Sequence, residues 1–95
     1  MKNRFYNVKV LHPNGATVGM ELLGYPELKD MQQWVGGGLI ERVPLPRNMK
    51  DEGVWEILVN EEGLLKGMEF NAEGSRIAEQ DLVGPVVIFE NFNLQ

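Results

Sequence analysis

Few residues in this chain are of types that do chemistry. His12 is the only histidine, Ser75 the only serine and Thr17 the only threonine. A triad would have to use them, with the imidazole taking a proton from one of the two hydroxyls. His12 directly precedes Pro13-Asn14-Gly15, where a histidine reads more simply as a solvated turn residue. Acidic pairs stand at Asp51-Glu52 and Glu61-Glu62, with Glu79 and Asp81 close by. Adjacent residues on a strand or turn point in different directions, so neither pair forms a natural metal clamp. No Asp-x-Asp loop supplies the convergent oxygens that calcium or magnesium needs. Nothing in the spacing selects a carboxylate pair for glycoside chemistry either. Cysteine is absent, which excludes disulfides, thiolate nucleophiles and cysteine-based zinc sites. Gly36-Gly37-Gly38 invites comparison with a phosphate loop. That loop needs Lys and Ser/Thr at a helix start after a strand, whereas this triplet follows a helical pattern. No catalytic residue, metal or cofactor is therefore expected.

The charge balance narrows the partners. Nine basic against fourteen acidic residues give a net charge of −5. Nucleic-acid backbones and anionic membranes are gripped by clustered cations, which this chain lacks, so neither is an expected partner. The acid excess is also too thin for a mimic of duplex DNA, whose charges recur every ~1.7 Å of axis. No apolar run approaches the ~20 residues that span a bilayer. Met1 to Tyr6 lacks the long apolar segment of a signal peptide, and a soluble, cytoplasmic protein is expected. The 95 residues suit one domain spanning 1–95.

Eleven glycines and five prolines predict many turns and short elements. Residues 5–11 alternate as a strand, with Tyr6, Val8 and Val10 on one side. His12-Pro13-Asn14-Gly15 is a turn, and residues 16–22 alternate again, so a β-hairpin is expected. Pro26 and Glu27 suit a helix start, Leu28, Met31 and Val35 recur at helical spacing, and the three glycines end the helix. Leu39 to Leu45 reads as a strand that, given Pro44 and Pro46, is an edge or ends early. Arg47 to Gly53 is a polar loop.

Val54 to Asn60 is the clearest strand, with Trp55, Ile57 and Val59 alternating toward the interior. Asn60-Glu61-Glu62-Gly63 is a turn, and Leu64 to Met68 a short returning strand. Phe70 to Gly74 reads as loop, and Ser75 caps one helical turn reaching Gln80. Val83 to Phe89 is apolar on both faces, as for a strand covered on both sides. Glu90 to Gln95 reads as a fraying tail in which Phe92 and Leu94 are the docking candidates. The fold class is α+β: one helix packed on a mostly antiparallel sheet, in the order β-β-α-β-β-(β)-(short α)-β. A β-grasp-like sheet is a special case of it.

Three stretches carry a resemblance. Trp34-Val35-Gly36-Gly37 runs into Leu39-Ile40-Glu41, followed by Leu58-Val59-Asn60-Glu61-Glu62-Gly63 and then Val83-Gly84-Pro85-Val86-Val87. In order and spacing they resemble the uncharacterised family called domain of unknown function 3846, small proteins of bacteria, phages and mobile elements. The likeness runs from about the first strand to Phe89. Family members often follow the Asn-Glu-Glu-Gly turn with a Leu-Pro-Pro-Asn-like segment. Met68-Glu69-Phe70-Asn71 keeps only the asparagine. The resemblance implies an accessory gene of a phage or mobile element and brings no activity or catalytic residues.

The expected function is a small non-enzymatic binding or interaction module that binds a host protein or sequesters a small ligand. A small enzyme using carboxylates or a metal is the alternative, and an oligomeric structural protein a further one, since a homo-oligomer is possible. The binding residues are expected at the hairpin end: Asn60, Glu61, Glu62 and Asn71. Loops held by a rigid sheet are where binding residues concentrate. The two acids would receive cationic groups, and the asparagines would donate and accept hydrogen bonds.

Overall fold

A computed structural model describes residues 5–47 and 53–90. Its elements are β1 (Phe5–Leu11), β2 (Thr17–Leu23), α1 (Leu28–Trp34), β3 (Ile40–Arg42), β4 (Val54–Asn60), α2 (Ala72–Ala78) and β5 (Val86–Glu90). The strands form one open sheet in the order β2-β1-β5-β4-β3, and every neighbouring pair is antiparallel. This is an α+β fold. Among the described residues no helix is long and apolar enough to cross a membrane. The expected loop acids Asp51 and Glu52, and the tail residues Phe92 and Leu94, lie outside the described residues.

The hairpin forms where the period-two pattern places it. Gly15 takes the left-handed conformation at φ 94°, and Asn14 Oδ1 accepts from Ala16 N at 2.9 Å. These are the roles that Asn-Gly fills in a tight turn. β4 and β5 sit inside the sheet because their side chains are apolar on both faces. Each face then needs its own cover. Val8, Val10, Leu58, Val87 and Phe89 pack with Met31 and Val35 under α1. Leu11, Val54, Ile57, Val59, Val86 and Ile88 pack with Ala78 and Leu82 on the α2 side. Fully burying one such side chain contributes roughly 1.5–3 kcal/mol.

α1 (Leu28–Trp34) falls inside the span that its pattern sets, between Pro26 and the glycines. Glu27 is the N-cap and Pro26 lies just outside it, since the fixed proline φ suits an entering turn equally well. At the other end Gly37 N donates to Gln32 O at 2.7 Å and Gly36 N to Gln33 O at 3.0 Å. Both glycines have positive φ, which makes this a Schellman closure that no residue with a Cβ adopts easily.

Three further readings need correction. Leu64 to Met68 is not a returning strand but part of a series of turns, held by local bonds such as Gly67 N to Leu64 O and by the positive φ of Gly67. Ser75 does not cap α2. Asn71 does so, with Oδ1 accepting from Gly74 N at 2.8 Å. Ser75 lies inside the helix, where Oγ accepts from Leu82 N and donates to Leu82 O, tying down the chain beyond the helix. Helix α2 thus runs from Ala72 to Ala78, starting ahead of Ser75, and packs Ile77 and Ala78 on this face together with Val43, Leu45 and Leu82.

Trp55, finally, does not share a face with Ile57 and Val59. Val54 pairs with Glu90 and Glu56 with Phe89, so Trp55 is the extra residue of a β-bulge. The bulge shifts the alternation by one. Val54 and Ile57 face α2, while Trp55, 37% exposed, packs against Phe89 at a ring distance of 5.2 Å.

Candidate docking surface

The turn that follows β4 is built by Asn60. Its carboxamide nitrogen donates to Val35 O at 3.1 Å and Gly37 O at 2.6 Å, and Oδ1 accepts from Glu62 N at 2.8 Å. Asn60 is thereby buried and fastens the end of β4 to the end of α1. Gly63 follows because of a close approach: a Cβ there would lie 2.9 Å from Val83 Cγ2. The loop then closes on itself through Lys66 N to Glu62 O at 2.9 Å and Met68 N to Gly63 O at 3.0 Å. Lys66 Nζ also donates to Gly37 O at 2.8 Å.

This well-bonded loop presents two consecutive leucines to solvent, Leu64 at 82% and Leu65 at 88% exposed. Single exposed leucines are ordinary, but adjacent ones on a hydrogen-bonded loop leave a compact apolar crest. Beside the crest lies a groove of ≈ 410 Å³ on the α2 side of the β3–β4 edge. Val43, Val59, Leu82 and Val83 line it, and Glu41, Glu61 and Asp81 stand at its exposed rim. An apolar floor inside a ring of carboxylates suits an apolar group that carries positive charge.

The four residues anticipated from the sequence are therefore divided. Asn60 and Glu61 line this groove. Glu62 turns toward Gly38, its Oε1 lying 3.8 Å from where a Cβ on that glycine would be. Asn71 is fully buried, donating to Leu11 O and Gly84 O at 2.8 Å each. Its polar atoms are engaged with backbone, and it is not part of the groove.

A second polar constellation escaped the sequence. Tyr25 Oη donates to Glu56 Oε1 at 2.6 Å, and Arg42 Nε donates to Glu56 Oε2. Tyr25 and Trp55 pack against Phe89, with Tyr25 stacked on it at 5.4 Å, and Tyr6 packs edge-on to Tyr25 and tilted against Trp55. Burial, and then the Glu56 carboxylate, push the Tyr25 phenol up to about 12. The available signal was Glu56 itself, a carboxylate inside an apolar strand that must find partners when buried. Among the described residues no three acids or histidines converge as metal ligands. Ser75 Oγ is engaged with Leu82, and His12 sits in the hairpin turn with its backbone N–H bonded to Ala16 O.

Fold and surface together define a small antiparallel α+β domain with an apolar crest beside an acid-rimmed groove. Residues 7–93 match the family described as a domain of unknown function, DUF3846, and the chain belongs to that family. Comparison with curated proteins and with solved structures gives no match.

Proposed function

We propose that this protein is a non-enzymatic interaction module, the accessory product of a phage or mobile element, which docks a host protein on the crest and groove beside β4. The observation that carries the reading is the pair Leu64 and Leu65, exposed at 82% and 88% on a loop braced by its own hydrogen bonds. Burying two leucines in a partner gains roughly 1.5–3 kcal/mol each, and a braced loop loses little entropy on docking. The rim acids Glu41, Glu61 and Asp81 select a partner bearing lysine or arginine beside an apolar anchor.

The volume of ≈ 410 Å³ lies within the range of ligand pockets, which favours a second reading, sequestration of a small cationic amphiphile. The test is a photo-crosslinking residue placed at position 65 in cells that encode the protein, with position 29 on the exposed side of α1 as control. A protein adduct specific to position 65, lost on adding Leu64→Asp, supports docking. Identical adducts from both positions, or adducts indifferent to Leu64→Asp, overturn it. Native mass spectrometry of the purified protein reports a retained small ligand directly.

A further inference from the structure

Strand β2 closes one side of the sheet, and among the described residues no strand pairs with its outer edge. The bond from His12 N to Ala16 O sets the alternation of the hairpin ladder. Val18, Met20 and Leu22 therefore bond to β1, and Thr17, Gly19, Glu21 and Leu23 turn their N–H and C=O groups outward. A seven-residue open edge is long for a protein that must avoid unwanted pairing.

Gly19 stands near the middle of this edge without a local reason. Its backbone is not left-handed, and a Cβ placed on it would meet nothing within 4 Å. Glycine weakens a strand interior, and where it persists it often marks the close approach of another chain. Lys9 is its neighbour across the ladder, and the missing side chain leaves a depression of ≈ 480 Å³ bordered by Lys9, Glu21 and Glu90.

We propose that β2 pairs antiparallel with β2 of a second copy of this chain, about a two-fold axis at Met20, making one continuous ten-stranded sheet. This surface is separate from the crest and groove, and the inference does not depend on them. The register places Gly19 opposite Glu21 of the second copy and Thr17 opposite Leu23, so every outward N–H and C=O on β2 finds a partner. On one face Val18 meets Leu22 of the second copy, and Met20 meets its own counterpart. Val18 is 48% exposed in the single chain, and this pairing covers it. On the other face Glu21 of the second copy crosses the space above Gly19 and reaches Lys9, which already holds Glu90 at 3.2 Å. No like charges stand opposite each other at the seam, and each Lys9 serves two carboxylates. The net charge of −5 on each copy opposes association, but screening over about 8 Å at physiological ionic strength confines that repulsion.

Sedimentation velocity over a concentration series tests this, with amide exchange read residue by residue. The wild-type chain is expected to show a monomer–dimer equilibrium, with Gly19 and Glu21 amides gaining protection as concentration rises. Gly19→Val fills the depression and, with nothing near its Cβ, leaves the fold intact by circular dichroism. It should raise the dimer dissociation constant by about tenfold or more. Glu21→Lys and Lys9→Glu should each weaken the dimer, and the two combined in one chain should restore it. A wild-type chain that stays monomeric to about 1 mM, the weak end of specific association, overturns the proposal and leaves the edge to an extended peptide of another protein. It is equally overturned by a dimer that none of these variants weakens.

Discussion

The Asn71 carboxamide donates to Leu11 O at 2.8 Å, joining the start of α2 to the end of β1 across 60 positions of chain. The same nitrogen holds Gly84 O, and the oxygen caps α2. Asn71→Ala removes a cap worth about 1 kcal/mol and strands the buried Gly84 carbonyl at about 1–3 kcal/mol, while Leu11 O keeps its ladder partner Val86. Urea denaturation should show a loss of about 2–4 kcal/mol, severe for a small domain. Asn71→Asp keeps the cap acceptor but not the donor, and should lose nearly as much. A loss under about 1 kcal/mol would leave only the cap at work.

Gly74 lies one helical turn further on. A Cβ there would sit 2.6 Å from Val86 Cγ2, because α2 rests directly on β5. Alanine is the better helix former by about 1 kcal/mol, so propensity alone predicts that Gly74→Ala stabilises. The clash should win, with a net loss of about 1–3 kcal/mol. Adding Val86→Ala relieves the clash, so a double-mutant cycle should show the two changes to be strongly coupled. Additive effects would place helix and strand further apart than described.

Trp55 and Phe89 test the bulge. Phe89 is fully buried, and Phe89→Ala should cost about 3–5 kcal/mol. Trp55 keeps one side of its ring in water, so Trp55→Ala should cost less, about 1–3 kcal/mol. Equal losses in thermal or urea unfolding would mean that Trp55 faces the interior after all.

That tryptophan also marks where the sequence stops being legible. The hairpin over β1 and β2, the glycine end of α1, the edge position of β3 and the doubly covered β5 follow from local pattern: alternation, glycine and proline chemistry, and an all-apolar run. The face on which Trp55 lies does not. It depends on a one-residue slip between β4 and β5 that no periodicity in β4 records. The asparagines illustrate the same limit. Asn60 and Asn71 look like exposed binding groups in a polar loop. Their partners, Val35 and Gly37 for one and Leu11 and Gly84 for the other, are remote in sequence. Glu61, by contrast, stands exposed at the rim of a groove that Asn60 also lines.

Tyr25 gives the protein a pH dependence at the alkaline end. Its phenol is pushed from 10.0 up to about 12 by burial and by Glu56. A raised folded-state value means that the native chain holds a proton which the unfolded chain has already lost. Stability from this group is therefore complete below pH 10.0 and falls as pH rises toward about 12. Near-ultraviolet titration of tyrosinate should show a late-ionising phenol that Tyr25→Phe removes and Glu56→Gln brings down. A Tyr25→Phe variant whose late phase persists would assign it elsewhere.

The division of the two adjacent acids yields the sharpest check on the docking surface. Glu61 stands on the groove rim, whereas Glu62 turns to Gly38 on the side of α1. Both are surface carboxylates, so Glu61→Gln and Glu62→Gln should each leave stability within about 0.5 kcal/mol. Leu64→Ser and Leu65→Ser should likewise leave the fold intact, since neither side chain is buried. Binding should separate these variants. With the partner captured from position 65, the leucine changes should weaken affinity by about tenfold or more each, as expected for anchors at the centre of an interface. Glu61→Gln should act chiefly on the association rate and flatten its dependence on salt, because a rim charge steers a cationic partner before it docks. Glu62→Gln should do neither. Equal effects from Glu61→Gln and Glu62→Gln in surface plasmon resonance would mean that net charge alone is felt, and would remove the groove from the interface.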